Sequence, residues 1–250
     1  MESLSLSIHD GIAHLRLTRP DRSNAFDLAG AHAFDAAVRR IERDDDARVV
    51  LLSGAGSRFC AGGDVSSMIA AENRGAYVRD LADTLDAALQ RLDSMTKPTV
   101  VAVQGAVAGA GIGVMLAGDL IVAERATKFV TAYAGIGLTP DCGVSWLLPR
   151  AVGQMRALQM ILTPTVVDGE TALSWGLVSE VVGTDALARA EELARSLAAG
   201  PAEALGHARR LLRTSWSVDR ATGGAEETRT IERAILSPEA AALIDAFGRG

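Results

Sequence analysis

Cysteine, aromatic residues, histidine and positive charge are all scarce in this sequence. Cys60 and Cys142 are the two cysteines among 250 residues. Two thiols outside any metal-ligand spacing make neither a disulfide framework nor a metal site. A reducing, cytoplasmic setting is the expectation. Aromatics amount to 4% and the net charge is −6, which counts against the stacking platforms and basic faces of nucleic-acid binders. His9, His14, His32 and His207 are scattered and form no H-E-x-x-H pattern, so none is expected to hold a metal or act as a base. No stretch approaches about 18 uninterrupted apolar residues, so no membrane span is expected. The opening "MESLSLSIHDGIAHLRL" lacks a basic leader and a long apolar run and does not read as a signal peptide.

What is abundant is apolar and small. Hydrophobic residues make up 48% and charged residues 22%, enough for a sizeable core in one large domain or two small ones. Twenty-five glycines suit tight turns and close helix packing. "IAHLRLTRP" alternates and stops at Pro20, as a strand does. Residues 27–43 and 75–95 have helical spacing. "RVVLLS", "TVVAVQG", "DLIVAE" and the surroundings of Phe129 and Val130 read as strands, with a helix over 109–117. From residue 143 the pattern is mostly helical, interrupted by the strand "VSEVV". Helices are expected over 184–199, 201–216 and 218–235 and from Pro238 to about Phe247. The reading is an α/β front two-thirds and a helical tail. Glycine-rich turns follow three of the strand segments, and in α/β folds sites collect at such strand ends.

One of these turns, "AVQGAVAGAGIGVMLAGD" at 102–119, has glycines at 109, 111 and 113. No register gives the G-x-G-x-x-G of a dinucleotide-binding turn, and no Gly-Lys-Ser/Thr of a phosphate loop follows. A glycine-rich helix packed tightly on a neighbour is one reading. An anion site built from backbone N–H groups at a helix start is another.

A second loop extends the second reading. With "GSRFCAGGDVSSM" at 56–68, the chain resembles the crotonase, or enoyl-CoA hydratase/isomerase, superfamily. Five blocks in the family's order carry the resemblance: "RPDRSNAFD", "RFCAGGDVSSM", "KPTVVAVQGAVAGAGIGVMLAGDLIVA", "KFVTAYAGIGLTPDCGVSWLLPRAVG" and "ETALSWGLVSEVV". It implies a spiral of ββα units with a helical C-terminal part. The division expected is a core over 1–190 and a helical trimerisation region over 191–250. It also implies an acyl-CoA thioester substrate, with coenzyme A part of the substrate, no separate cofactor and no metal. The backbone N–H groups of Gly63 and Ala110 would form an oxyanion hole for an enolate, at about 3 kcal/mol per donor. Ala110 opens a helix, whose dipole adds to its donor. Gly109 and Gly111 let the backbone approach the thioester, and Gly62 and Gly63 give the first turn its backbone flexibility.

The resemblance also exposes a departure. An enoyl-CoA hydratase in this family works its water with two glutamates. The matching positions here are Gly113 and Tyr133, and a phenol with a pKa near 10 is a poor base at neutral pH. One carboxylate does lie in the right loop, Asp141. That block resembles the branch with 1,2-epoxyphenylacetyl-CoA isomerase and related enoyl-CoA isomerases. A lone carboxylate suits a shuttle that takes a proton from one carbon of the acyl chain and returns it to another. The expectation is therefore an isomerase moving a double bond from β,γ to α,β, with Asp141 as the base. Another reaction of the family (hydration, dienoyl isomerisation or thioester hydrolysis) and a catalytically silent acyl-CoA-binding subunit are the alternatives. Asp141 after Pro140 is also ordinary turn chemistry.

Tyr133, Leu138 and Trp146 are expected as walls of the pocket, and Ala61 and Met68 along the path of the pantetheine or adenine. Arg22, Ser23, Asn24 and Ala25 match a segment that approaches the CoA nucleotide. Asp64 follows the first oxyanion donor and reads as a helix N-cap, and Glu170 as an exposed first-turn acid. Cys142 has no activating base nearby and is expected to be inert. The acyl chain would be set by residues between 66 and 95, where no signature is readable. Homotrimers or dimers of trimers are implied. Family members often continue with a basic, aromatic tail that reaches the CoA, whereas this chain runs to "AFGRG".

Overall fold

Continuous apolar runs build the centre of the sheet. β1 (Leu4–His9) and β2 (Ile12–Leu17) form a hairpin, and α1 (Leu28–Arg43) follows. β3 (Val49–Gly54) leads to α2 (Val65–Ala70) and α3 (Arg74–Ser94), and β4 (Thr99–Val103) to β5 (Ala106–Ala108) and α4 (Ala110–Leu116). β6 (Leu120–Glu124) and β7 (Lys128–Val130) come next, then α5 (Val144–Val152), α6 (Gln154–Leu162), β8 (Val167–Asp168), α7 (Gly169–Trp175) and β9 (Glu180–Val182). The chain ends in α8 (Ala186–Ala199), α9 (Ala202–Thr214), α10 (Arg220–Ile235) and α11 (Pro238–Phe247). The structure, a computed structural model, describes residues 3–248.

The main sheet runs β1-β2-β3-β4-β6-β9 and is parallel apart from the β1/β2 hairpin. β3 and β4 are buried along their whole length, as a parallel sheet covered on both faces requires. On one face Val50, Leu52, Val101 and Val103 join the core under α1 and α3. On the other, Val49, Leu51, Val100, Ala102 and Val122 meet Ala186, Ala190, Ala194 and Ala198 of α8. Those four alanines recur every four residues, so one small-residue stripe lets α8 lie close on the sheet. A second sheet, β5-β7-β8, stands beside it.

The expected α/β front and helical tail are present, with most boundaries within two residues of the reading. β1 went unread, and β5 and β8 are too short to show periodicity. The expected division at 190 falls inside α8, which packs on the sheet as one piece. α9 is tied back to the core by Arg209, whose buried guanidinium bonds Asp119 and the carbonyls of Leu92, Asp93 and Met95.

Candidate active site

The first turn, after β3, is held by the segment 23–26. Ala61 N–H donates to Ser23 O at 3.0 Å, Phe26 N–H to Gly62 O at 2.7 Å, and Asp64 N–H to Phe26 O at 2.8 Å. Parallel pairing of this kind uses the Gly62 carbonyl and the Asp64 N–H on either side of Gly63 and leaves the N–H of Gly63 itself unused. Asn24 braces the same segment through its Nδ2 to Ala55 O and Arg58 O, both at 2.8 Å. The second turn is tied to the first where Ala108 N–H donates to Cys60 O at 2.9 Å. Among the described residues, the N–H groups of Gly63 and Ala110 donate to no protein acceptor.

Two glycines permit this meeting of turns. Gly62 has φ +90°, and a Cβ there would stand 2.9 Å from Ala108 O and 3.0 Å from Ala110 N. Gly109 has φ +53° and ψ −129°, a conformation that side chains rarely adopt, and it immediately precedes α4. Ala110 is thus the first residue of α4, where a helix leaves its N–H groups unpaired.

The third turn carries the one carboxylate. A cavity of about 310 Å³ is lined by Gly63, Gly109 and Ala110 from the first two turns and by Tyr133, Leu138 and Asp141 from the third. Ala61 and Met68 also line it, as do Val78 and Ala82 of α3. Asp141 is half-buried, and its Oδ1 accepts a 2.8 Å hydrogen bond from the Tyr133 hydroxyl. Burial first, then the charge of Asp141, pushes the Tyr133 phenol well above its ordinary value. It is therefore a donor that keeps its proton. Cys142 is buried beside Asp141, and desolvation followed by the charges of Asp141 and Asp86 raises its thiol likewise.

Both members of the hydrogen-bonded pair have a neighbour in left-handed backbone. Ala132, before Tyr133, has φ +58°, and Cys142, after Asp141, has φ +50°. Tyr133 N–H donates back to Thr131 O at 2.8 Å across Ala132, the rarer hand of γ-turn. For a residue with a Cβ, such backbone costs roughly 1–2 kcal/mol. Thr131 pins this turn to α6 by donating its hydroxyl to Met160 O at 2.6 Å.

Position 113 has no room for a side chain. A Cβ on Gly113 would lie 2.3 Å from Cys142 O and 3.1 Å from Cys142 Cβ. The turn that carries Asp141 rests directly on α4 through this glycine.

The enoyl-CoA hydratase/isomerase family model matches residues 7–240. The chain belongs to the enoyl-CoA hydratase/isomerase family. It is 38% identical over 212 residues to 1,2-epoxyphenylacetyl-CoA isomerase of Escherichia coli, covering 82% of this chain and 80% of that one. A probable enoyl-CoA hydratase of Rhodobacter capsulatus is 36% identical, over 72% and 68% of the two chains. A solved structure, a putative enoyl-CoA hydratase/isomerase from Mycobacterium abscessus, superposes with a TM-score of 0.93 at 34% identity, covering 98% and 95%.

Set on the enoyl-CoA hydratase/isomerase fold, the residues singled out from the sequence divide into two groups. Ala61, Gly63, Met68, Gly109, Ala110, Tyr133, Leu138 and Asp141 line one cavity, with Gly62 packed behind it. Asp64 is buried outside this lining and caps α2, accepting from the N–H groups of Ser66 and Ser67. Ala25 is buried too, its carbonyl accepting from Arg19. Arg22 is exposed on the 3-10 turn Pro20–Arg22. Trp146 stands on a neighbouring cavity of about 510 Å³, half-exposed, with the Arg150 guanidinium 3.2 Å over its ring. That cavity shares Ala82 and Asp141 with the first. Glu170 is exposed in the first turn of α7 and pairs with Arg125.

Sequence reading missed Arg19 and the α3 pair. Arg19 holds Asp27 and Asp64 together, each at 3.0 Å, and so fixes the first turn. Nothing in "LTRPDR" distinguishes it from Arg22. Val78 and Ala82 are one helical turn apart on α3, and nothing in the sequence of that helix singles them out.

Proposed function

We propose that this protein is an enoyl-CoA isomerase that moves a double bond from β,γ to α,β in an acyl-CoA thioester. The thioester oxygen sits on the N–H groups of Gly63 and Ala110. Asp141 takes a proton from the α-carbon: the C–H bond breaks, its electrons pass into a dienolate, and the carboxyl becomes neutral. Two amide donors aimed at the enolate oxygen supply about 3 kcal/mol each at the moment charge develops. The carboxyl then gives its proton to the γ-carbon, and the thioester carbonyl is restored. No water is consumed and no second acid is needed.

The observation that supports this most is the company Asp141 keeps. It lines the cavity with both unpaired amides, while the two places where the family's hydratases keep glutamates hold a glycine and a tyrosine. At position 113 a carboxylate has no space, and at 133 the side chain is a phenol that holds its proton. Exposed apolar side chains on α10 and α11 and at the turn between them, among them Ile231, Ile235, Leu236 and Phe247, favour assembly into a homotrimer or dimer of trimers.

The test is a panel of β,γ- and α,β-enoyl-CoA thioesters incubated in D2O and analysed by mass. The expected result is the α,β isomer carrying at its γ-carbon the hydrogen taken from the α-carbon, with deuterium there only as far as the carboxyl exchanges with solvent before returning it, and with no hydrated product. Asp141→Asn should lower kcat by roughly 10²–10⁴-fold, the range for loss of a positioned base, with thioester affinity retained. A hydrated product would assign the chain to water addition. No turnover on any thioester, with binding intact, would leave a silent acyl-CoA-binding protein.

A further inference from the structure

We infer that Tyr133 is a positioning residue for the base: its hydroxyl, held by two strained turns, fixes the Asp141 carboxylate at the edge of the amide-lined cavity. The inference rests on the reading of Asp141 as the base. Four observations meet at this point. The Tyr133 hydroxyl donates to Asp141 Oδ1 at 2.8 Å. The Tyr133 side chain is buried, so its ring has little freedom to swing away. The residue before Tyr133 and the residue after Asp141 are both in left-handed backbone without being glycine. The third turn is clamped at both ends, by Thr131 Oγ1 on Met160 O and by the contact of Cys142 with Gly113.

Strain at non-glycine positions persists only where the surroundings over-determine it. Here both sites of strain adjoin the same hydrogen bond. A γ-turn at Ala132 redirects the chain so that Tyr133 reaches Asp141 eight residues on. The left-handed Cys142 turns the chain into α5 directly after Asp141. With Oδ1 committed to the phenol, Oδ2 is the oxygen left to meet the substrate's protons. Taking a proton from one carbon and delivering it to another two bonds away needs a base whose direction is fixed, because reacting atoms must approach within about 3–3.5 Å.

The phenol donates to Asp141 in acidic company. The other titratable groups around Asp141 are Cys142 beside it and Asp83, Asp86 and Asp93 of α3 on the neighbouring cavity. No lysine or arginine pairs with Asp141 among the described residues. Tyr133 is thus its donor from the cavity side.

The test uses the full chain with ¹³C-labelled aspartate, the Asp141 signal being assigned by its loss in Asp141→Asn. Tyr133→Phe keeps the ring and removes the donor. The Asp141 carboxyl signal should shift at fixed pH, because its Oδ1 loses the donated hydrogen bond. A fall in kcat of roughly 10- to 100-fold is expected, the scale for a misplaced catalytic group, with KM within about threefold. Ala132→Gly keeps every side-chain group of the pair and releases the backbone. It should lower kcat while leaving the melting temperature equal or higher. An unmoved Asp141 carboxyl signal in Tyr133→Phe overturns the inference, whatever reaction the enzyme runs. A moved signal with unchanged kcat, or an Ala132→Gly enzyme with full kcat, overturns the positioning role. A moved signal in a chain whose wild type migrates no double bond places the failure in the proposed reaction, not in the pair.

Discussion

Cys60 lies beneath the first amide turn, where its Sγ accepts the Gly62 N–H at 3.4 Å and its thiol faces Asn24 O at 3.3 Å. Desolvation still pushes its pKa up to about 12, because one weak bond from an amide does not replace the lost water. Cys142 is raised for the same reason, with two aspartates adding to it. Neither thiol should react with a thiol-specific reagent in the native protein at pH 8, and both should react once it is unfolded. The stability consequence has a definite sign. The unfolded chain releases the Cys60 proton near pH 8.5 whereas the folded chain holds it to about 12. Its contribution is complete below about pH 8.5 and is lost as pH rises toward 12. Urea midpoints measured from pH 7 to 10 should fall more steeply for the wild type than for Cys60→Ala. Equal slopes would mean that the thiol is not buried as described.

At the scale of elements, α4 and the turn before α5 act as one unit. Cys142 O lies where a Cβ of residue 113 would be, so the spacing of helix and turn is set by the absence of a side chain. Gly113→Ala must therefore push the Asp141 turn away or distort α4. Overpacking of this kind costs about 1–3 kcal/mol. Chemical denaturation should show that loss, and activity should fall with it. A Gly113→Ala protein with wild-type stability and turnover would show that the turn moves freely. The same crowding explains why returning a glutamate to position 113 should not produce a hydratase. Elsewhere the elements follow the sequence closely. Asp27, Asp64, Asn73, Asp168 and Asp219 each cap a helix by accepting a backbone N–H. Such caps are local chemistry and are readable as such.

For the molecule as a whole, the two hydrophobic clusters differ in kind. One is large and aromatic, with Phe26 and Phe34 packed edge to face at 5.6 Å, and it supports the cavity. The other is the alanine stripe of α8 against the sheet. α9 joins this body through Arg209 and Arg213 on Asp119, whereas α10 and α11 leave large apolar side chains uncovered. Analytical ultracentrifugation should give a mass three or six times that of the 26.1 kDa chain. A monomer at micromolar concentration would refute the assembly.

Much of this was legible from residues alone. Apolar runs marked β3, β4 and β6, and helical spacing marked α1 and α3. Glycine clusters marked the turns, because periodicity and turn chemistry are local properties of the chain. The likeness of five blocks to one family pointed to Gly63, Ala110 and Asp141, and glycine at 113 and tyrosine at 133 could be read directly. Other features depend on contacts between residues far apart in sequence, which no local pattern encodes. That Tyr133 donates to Asp141, that Cys142 fills the space beside Gly113, that Arg19 grips Asp64, and that Trp146 belongs to the neighbouring cavity were decided only when α3, α4 and three strand ends packed together.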